Sequence, residues 1–259
     1  MASQHAPLRI LLIFSIISFC SFQATPCHAD IWSGLVGWWK FDEASSGTCA
    51  GATVVDASNH GNTGTCTGSP TYGTGKIGQG AMSLDGVTQY VTIGQQAVLA
   101  PALISVSAWV KPVAVTGYAD GASIAEYSDS RHWMQGYALY LYGGSVYFGL
   151  GNGTTYFRSA SSTVSAGSWV HLVGVFDGNN AYIYINGALV STQNGVSVTY
   201  NATNTFTIGH GSGNASFVNG SIDDVRVYNR ALSAADVSML YLYGTVTLRN
   251  STWKNFKTY

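Results

Sequence analysis

The sequence predicts an all-β protein, an antiparallel β-sandwich with one short helix near its C-terminus. Glycine occurs 31 times and tyrosine 16 times in the 259 residues, while only 9% of them are charged, a composition typical of strands and tight turns. Short runs of alternating apolar and polar residues are separated by pairs of turn-forming residues. No long stretch repeats apolar residues at the helical period. Since no repeat or linker interrupts residues 30–244, we expect a single domain there.

Residues 1–29 predict a cleaved secretory signal peptide. The polar start has Arg9 as its one charged residue, and the apolar run over residues 10–22 is shorter than the roughly 20 residues of a membrane span. The run is followed by Cys27-His28-Ala29, a small-x-small boundary. A lipoprotein signal at Cys20 is the alternative, but bulky Phe19 stands where a small residue is expected. We therefore expect a secreted protein, extracellular or periplasmic, without a membrane span after cleavage.

The charge of the chain excludes two classes of partner. The formal net charge is −1 at pH 7, and no run of lysines is present. Binding to nucleic acid or to an anionic membrane depends on clustered cations. Neither partner is therefore expected.

The first predicted strand covers residues 34–43. Strict alternation would place Leu35, Gly37, Trp39 and Phe41 on one face and Val36, Trp38, Lys40 and Asp42 on the other. Cys49 and Cys66 follow on either side of a loop rich in Gly, Ser and Thr. In an exported chain such a pair predicts a structural disulfide rather than a metal site, since His60 is the only histidine between the two cysteines and neither cysteine has a metal ligand at short spacing.

The middle of the chain reads as hairpins. Asp85-Gly86, Asp177-Gly178 and Asn186-Gly187 each separate two strand-like runs, and Pro112 ends the run over residues 105–111. Trp109 and His171 lie inside alternating runs, so we expect both side chains to be packed rather than functional.

Residues 113–147 are the least regular part and hold most of the candidate binding residues. Aromatic rings can stack on the C–H faces of sugars, while Arg, His and hydroxyl groups bind sugar hydroxyls. Arg131, His132, Trp133 and Tyr140 supply these types within a short stretch. They are the predicted ligand-binding residues, and the predicted ligand is a carbohydrate or glycoconjugate.

The last segment, residues 219–244, predicts a strand followed by a helix. Ile222, Val225 and Val227 are the apolar residues of the strand, and Ser233 with Asp236 three positions later is typical of a capped helix start. Residues 245–259 are a polar tail.

Six stretches resemble the laminin G-like jelly rolls of the concanavalin A-like lectin/glucanase superfamily. Besides residues 219–244, they are GLVGWWKFDE (34–43), VVDASNHGNTGT (54–65), GKIGQGAMSLDGVTQYVTIG (75–94), SVSAWVKP (105–112) and GSWVHLVGVFDGNNAYIYINGALV (167–190). The resemblance implies a jelly-roll sandwich whose first strand pairs with its last. It does not imply one activity, because this fold carries lectins, hydrolases, lyases and adhesive modules.

The resemblance also implies a structural calcium site. Pairing of the first and last strands would bring Asp42 near Asp223, and two carboxylates completed by backbone carbonyls suit Ca²⁺. Two alternatives stay open: Asp223 and Asp224 as a solvated acidic turn, and Asp42 as a turn cap or as the partner of Arg226.

Catalysis is not expected. Glycoside hydrolysis normally needs two carboxylates across one sugar, and the Glu-x-Asp-x-x-Glu strand of the similar laminarinase-type hydrolases is missing; the two glutamates, Glu43 and Glu126, are far apart. Arg131, His132 and Tyr137 have the side-chain types of a lyase, but a lyase site needs fixed partners from several strands. No Gly-x-Ser-x-Gly elbow is present. The sequence predicts a non-catalytic lectin-like module, with an adhesive domain that binds extracellular protein as the alternative.

Overall fold

A computed structural model describes residues 30–116, 121–129, 134–159, 163–211 and 217–245. In chain order its strands are β1 (Leu35–Trp39), β2 (Gly47–Thr48), β3 (Thr53–Val54), β4 (Gly64–Thr67), β5 (Thr71–Thr74), β6 (Gly80–Asp85), β7 (Tyr90–Gly94), β8 (Ile104–Pro112), β9 (Ala122–Ser128), β10 (Gln135–Tyr142), β11 (Ser145–Asn152), β12 (Tyr156–Ser159), β13 (Val170–Phe176), β14 (Asn180–Ile185), β15 (Ala188–Asn194), β16 (Thr205–Ile208) and β17 (Asn219–Tyr228). A 3-10 helix covers Ala97–Leu99, and helix α1 covers Ala234–Thr245. The predicted signal peptide, residues 1–29, and the tail from residue 246 lie outside the described residues.

The strands form two antiparallel sheets. Sheet A has the order β15-β14-β13-β8-β17-β6-β5-β2, with β1 also paired to β17. Sheet B has the order β12-β11-β10-β9-β16-β7-β4-β3. The predicted sandwich and the predicted pairing of the first strand with the last are both confirmed.

The main core lies between the two sheets. Alternating residues of both sheets contribute to it, such as Val106 and Ile222 from sheet A and Leu139 and Phe148 from sheet B. Trp39 is fully buried there, and its indole N–H donates to the Asn62 carbonyl at 2.8 Å. Because each strand buries every second residue, the next residues of the same strands point away from the core on the outer faces.

A bulge in β17 decides what its outer face carries. The pairing register with β8 shifts between Asp223 and Arg226, and Asp224 has a φ of 50°. Ile222 and Val225, three positions apart, both pack in the core. The extra residue restores the inward direction of the apolar residues after it, so both Asp223 and Arg226 point outward.

The first strand departs from the predicted strict alternation. A register shift between Leu35 and Gly37 places Val36 in the main core with Trp39, while Leu35 packs on the other side of sheet A. The prediction that Leu35 shares a face with Trp39 is wrong because it assumed an unbroken pleat.

Helix α1 covers part of the outer face of sheet A. Val237 and Leu240 pack against Val173 and Val175 of β13 in a second, smaller core. The predicted capping pair starts the helix: the Ser233 hydroxyl accepts from the Asp236 N–H at 3.2 Å, and the Asp236 carboxylate accepts from the Ser233 N–H at 2.9 Å. Trp109 and His171 also lie on this face, with ring centroids 5.0 Å apart. Both are buried, as the sequence predicts.

Candidate functional site

The outer face of sheet B carries a row of residues that crosses four neighbouring strands. Glu126 of β9 pairs with Ala138 of β10, and Ala138 pairs with Gly149 of β11. Gly149 in turn pairs with Arg158 of β12. The row therefore has one charged residue at each end and two small residues between them.

Tyrosines form one border of this row. Tyr140 and Tyr147 are directly paired across β10 and β11, and their rings stack with centroids 5.3 Å apart. Tyr142 follows on the same face, 6.3 Å from Tyr147. Tyr140 is only 1% exposed, whereas Tyr142 is 37% exposed. The rings that can contact a ligand at this border are therefore those of Tyr142 and the partly exposed Tyr147.

Tyr156 of β12 lies across the middle of the row. A Cβ atom built on Gly149 would be 1.9 Å from the Tyr156 hydroxyl oxygen, so only glycine leaves room for this side chain. Burial raises the pKa of the Tyr156 hydroxyl well above its usual value, and the nearby Tyr140 and Glu126 raise it further. The hydroxyl thus stays protonated at neutral pH. We call the set of Tyr140, Tyr142, Tyr147, Tyr156, Glu126 and Arg158 the tyrosine face.

Arg158 is held over two of the rings. Its guanidinium carbon lies 5.5 Å from the Tyr147 centroid and 6.0 Å from that of Tyr142, the range of cation–π contacts. The side chain is exposed to solvent. Burial raises the pKa of the Tyr140 hydroxyl, and this outweighs the opposing effects of Tyr156 and of the Arg158 charge.

Glu126 is oriented by its own strand. Its side chain is fully buried, Ser123 Oγ donates to Oε2 at 2.5 Å, and Ser128 Oγ donates to Oε1. Thr207 of β16 pairs with it from the other side. A carboxylate held in this way shapes the face rather than presenting a free charge to solvent.

A second aromatic group lies at the far side of sheet B. The ring of His210, just after β16, stacks on Phe217 at 4.1 Å and lies 5.0 Å from Tyr90. Between this group and the tyrosine face the outer residues of the strands include Thr92 and Thr207. Aromatic rings thus lie on both sides of a polar strip.

A cleft of about 530 Å³ opens at one end of the sandwich and is a weaker candidate. Its lining is Ala100, Ala102, Leu103, Phe176, Gly178, Ser197, Val198 and Tyr200. No lining residue is charged, and the Tyr200 hydroxyl is already used by the Pro101 carbonyl at 3.0 Å. Few polar groups there could orient a sugar.

The predicted ligand-binding residues are only partly placed. Tyr140 lies on the outer face of sheet B, but its ring is covered by its neighbours. Arg131, His132 and Trp133 lie outside the described residues, so their role stays a prediction. Arg158 and Tyr156 were missed by the sequence reasoning. The alternation of residues 156–159 could have placed Tyr156 and Arg158 on the same face of a strand. No local sequence pattern predicts that this strand pairs beside Gly149.

The two predicted metal ligands, Asp42 and Asp223, are both bound by the loop over residues 76–80. Asp42 Oδ1 accepts from the Gln79 and Gly80 N–H groups at 2.7 and 3.1 Å. Asp223 Oδ2 accepts from the Lys76 and Ile77 N–H groups at 2.7 and 2.9 Å. One loop thus holds both carboxylates. Asp42 caps this loop, as one alternative expected.

The other alternative, an ion pair of Asp42 with Arg226, is wrong. Asp42 pairs with Lys40 at 3.2 Å, while Arg226 pairs with Asp224 at 3.1 Å. Nor is Asp224 a solvated turn residue, since it is only 3% exposed. The bulge in β17 turns it toward Arg226 beneath the covering aromatic rings.

Of the two predicted metal ligands, Asp223 has the more unusual environment. It is fully buried, and its Oδ1 atom has no hydrogen-bond partner among the described residues. Burial raises its pKa to about 8, and the charges of Asp224 and Asp42 add to this effect, while the two loop N–H groups oppose it. Among the described residues no cluster of three or more His, Cys, Asp or Glu side chains is arranged for a metal.

Two glycines of the loop over residues 76–80 lie very close to oxygen atoms of Asp42 and of its neighbours in the chain. A Cβ on Gly78 would be 2.3 Å from Asp42 Oδ1, and a Cβ on Gly80 would be 2.1 Å from the Phe41 carbonyl oxygen and 2.4 Å from that of Ala44. The absence of side chains at these positions leaves a small oxygen-lined cradle beside Asp42. Two carboxylates and carbonyls are the ligand types that Ca²⁺ takes, so the residues present fit this ion in type.

Cys49 and Cys66 form a disulfide with a Cα–Cα distance of 5.8 Å. The bond links the segment after β2 to β4 and so ties the two sheets together at one edge. Both sulfur atoms lie in the main core. The bond is structural in this position, as the sequence predicts.

No helix in the described part of the chain has the length and apolar character of a membrane span; α1 has 12 residues.

Comparisons with known proteins agree with this architecture. A family described as the concanavalin A-like lectin/glucanases superfamily matches residues 85–238. No curated protein sequence matches the chain. Domain 4 of AbnA, a GH43 extracellular arabinanase from Geobacillus stearothermophilus solved in complex with arabinotriose, is 24% identical with a TM-score of 0.63, over 80% of this chain and 98% of that one.

Two toxin domains are also similar. The binding domain of Paraclostridial Mosquitocidal Protein 1 is 13% identical with a TM-score of 0.65, over 82% of this chain. The binding domain of botulinum neurotoxin DC, solved in complex with SialylT, is 15% identical with a TM-score of 0.64, over 84% of this chain. This chain spans about half of each toxin domain, 52% and 53%. At these identities the likeness shows a shared fold.

Proposed function

The chain belongs to the concanavalin A-like lectin/glucanases superfamily, and we propose that it binds carbohydrate through the tyrosine face without cleaving it. The observation that carries this proposal is the arrangement of the partly exposed Tyr142 and Tyr147 rings beside a strip of small residues. A sugar ring can bury its C–H face on such rings. Tyr156 covers Gly149 in the strip, so a ligand would contact the exposed rings at the border of the face.

The printed ligands of two structural neighbours support this class of partner. The arabinanase domain was solved with arabinotriose, and one toxin binding domain was solved with SialylT. These are properties of those proteins. They make carbohydrate the first ligand class to test here, whereas no described feature singles out a protein partner.

The carboxylates of sheet B support binding without hydrolysis. Among the described strand residues of this sheet, Glu126 is the only acid. Hydrolysis by the usual mechanism needs a second carboxylate within about 10 Å across the sugar. Since Glu126 is also buried, a paired-acid reaction has no second partner on these strands.

A calcium ion held by Asp42 and Asp223 is part of the same proposal. The support is the buried Asp223 Oδ1 atom, which has no hydrogen-bond partner in the described part of the chain, and the carbonyl-lined cradle beside Asp42. A bound cation would neutralise the Asp223 carboxylate, whose charged form is disfavoured by burial and by the charges of Asp224 and Asp42. Its role would be to fix the loop over residues 76–80 against β17.

We further propose that the protein acts outside the cytoplasm. The support is the signal-like residues 1–29, the disulfide, and the extracellular arabinanase among the structural neighbours. Detection of the mature chain in the medium or periplasm, beginning at Asp30, is the corresponding test. Retention in the cytoplasm with residues 1–29 still attached would contradict this proposal.

The function is tested by applying the protein to a broad glycan and polysaccharide array in calcium buffer. A chemically related set of hits is expected. Tyr142→Ala should then weaken the strongest hit roughly three- to tenfold, the range of one lost aromatic contact.

Tyr243→Ala is the matched control, because Tyr243 is exposed to a similar degree, 43% against 37%, and also lies against an arginine, but on the opposite side of the molecule. Its binding should equal that of the wild type. A blank array with a folded protein would reject carbohydrate binding and favour a protein-binding adhesive domain. Equal loss in both variants would reject the tyrosine face.

A further inference from the structure

Arg158 is the only lysine or arginine among the described strand residues of sheet B. The other two described arginines, Arg226 and Arg230, each form an ion pair with an aspartate, at 3.1 and 2.9 Å. No described carboxylate lies within ion-pair distance of Arg158. Among the described residues, no acid therefore neutralises its charge.

The guanidinium group is nevertheless positioned. It lies against Tyr147 at 5.5 Å and Tyr142 at 6.0 Å, the two rings proposed to contact a sugar. Stacking on tyrosine restricts the long side chain while leaving the N–H groups at the rim of the plane. A cation that has no carboxylate partner among the described residues and is already ordered, here by the rings and by a hydrogen bond with Tyr140, loses less entropy on binding an anion than a freely moving one.

The one acid among the described strand residues of sheet B does not compete for Arg158. Glu126 lies at the other end of the same row, three strands away, so the two backbones are about 14 Å apart at the usual strand spacing. Its side chain is buried and accepts hydrogen bonds from Ser123 and Ser128. No ion pair joins the described side chains of Glu126 and Arg158.

We propose that the tyrosine face selects glycans that carry an anionic group, and that Arg158 binds that group while Tyr142 and Tyr147 contact the sugar. This inference rests on the proposed function and names its ligand class. A guanidinium offers two parallel N–H groups that match the two oxygens of a sugar carboxylate, and it matches a sulfate ester similarly. A neutral sugar offers no such partner.

The test compares polygalacturonate with its fully methyl-esterified form, since the backbone is the same and only the charge is removed. We expect the wild type to bind the charged polymer at least about tenfold more tightly, and to lose this preference as salt is raised. A second pair, chondroitin and chondroitin sulfate, distinguishes the sources of the charge. Tighter binding of chondroitin sulfate than of chondroitin would identify the sulfate ester as the group that Arg158 binds. Equal binding of the two polymers would identify the carboxylate that both carry.

Three variants locate the effect. Arg158→Gln should remove the preference, and Arg158→Lys should keep only part of it, because an ammonium group lacks the paired N–H geometry. Lys111→Gln is the matched control, since Lys111 is exposed on sheet A and has no ion pair among the described residues. Unchanged melting temperatures show that the variants are folded.

The possible outcomes separate the two proposals. Binding of neutral polysaccharides that exceeds or equals binding of charged ones overturns the inference but leaves carbohydrate binding in place. A charge preference that survives Arg158→Gln, or is lost equally in Lys111→Gln, overturns the role of Arg158. Failure to bind any of these polymers or any array glycan overturns both proposals.

Discussion

Asp224 and Arg226 form an ion pair on the outer face of sheet A, with Arg226 Nε 3.1 Å from Asp224 Oδ2. Neither side chain is open to solvent: the exposed fractions are 0% for Arg226 and 5% for Asp224. The Trp38 indole N–H donates to Asp224 Oδ1 at 2.6 Å, and the Trp38 ring lies 4.5 Å from the guanidinium carbon. The bulge at residue 224 places both charges on the same face, so the pair and the bulge support one another.

Removal of one partner should be strongly destabilising. Arg226→Met leaves Asp224 as a buried, unpaired carboxylate, and we expect a loss of roughly 3–5 kcal/mol in the free energy of unfolding by urea. The double variant Asp224→Asn/Arg226→Met should recover part of this loss, because it leaves no buried charge. Arg230→Met is the comparison, since the Arg230 pair is partly exposed and should contribute less. Similar losses at both arginines would contradict this account.

Calcium should raise the melting temperature of the wild type. Addition of EDTA should reverse the rise, and Asp223→Asn and Asp42→Ala should each abolish it, since each removes a carboxylate of the proposed site. Asp85→Asn is the control, because the Asp85 carboxylate accepts hydrogen bonds from the N–H groups of its own turn and is not part of the proposed site. A wild-type melt that is the same in calcium and in EDTA would rule out the ion.

His171 should make stability depend on pH between about 6.5 and 4. Burial, aided by the charge of Arg226, lowers its pKa to about 3, whereas an unfolded histidine has a pKa near 6.5. Below pH 6.5 the unfolded chain therefore takes up a proton that the native protein does not. The contribution of His171 is therefore fully present above pH 6.5 and decreases by up to about 1.4 kcal/mol per pH unit below it. Without a bound cation, Asp223, whose pKa burial raises to about 8, contributes a slope of opposite sign between about pH 8 and 4, so the effect of His171 is the difference between the wild type and a His171 variant.

Urea unfolding at pH 7, 5.5 and 4.5 measures this slope. In His171→Gln the slope should be lower than in the wild type by up to about 1.4 kcal/mol per pH unit, because the titrating group is gone while an amide can still reach the Ser107 hydroxyl, 2.9 Å from Nε2 in the wild type. His60→Gln, at an exposed loop position, is the control for the substitution itself. Buried aspartates with lowered pKa values, such as Asp236, add their effect only below about pH 4. An unchanged slope in His171→Gln would show that another group titrates.

Loss of the disulfide should destabilise the protein by about 3 kcal/mol on the chain-entropy model, for a separation of 17 residues. The variant Cys49→Ser/Cys66→Ser should unfold at correspondingly lower urea concentration. Reductant should lower the stability of the wild type to a similar value and should not affect the variant. The prediction is wrong if the wild type is equally stable with and without reductant after its two thiols have been shown to be free.

Gly149→Ala should disturb the tyrosine face. The new methyl group would meet the Tyr156 hydroxyl at 1.9 Å, so Tyr156 must move, at a cost of roughly 1–3 kcal/mol. In Gly149→Ala/Tyr156→Ala the steric conflict is absent, and the two changes should be clearly non-additive in unfolding free energy. Strict additivity would show that Tyr156 does not lie over Gly149.

Local patterns in this sequence are enough to predict the strands, several of the turns, the capped helix and the Cys49–Cys66 pair, because each depends on residues close together in the chain. The capping of α1 by Ser233 and Asp236 is such a case. The three-residue spacing from Ile222 to Val225 also signals the bulge in β17, although strict alternation was assumed for β1 and failed there. The family resemblance extends this to the sandwich itself.

The composition of the tyrosine face is decided only by the tertiary structure. Arg158 lies in line with Glu126 because four strands pair in one particular register, and a shift of a single residue would turn either side chain toward the core. Likewise Asp42 and Asp223 lie 181 positions apart in the sequence. One loop holds both carboxylates because β1 pairs with β17. Sequence patterns record which residues alternate, whereas the hydrogen bonds between distant strands determine which of them meet.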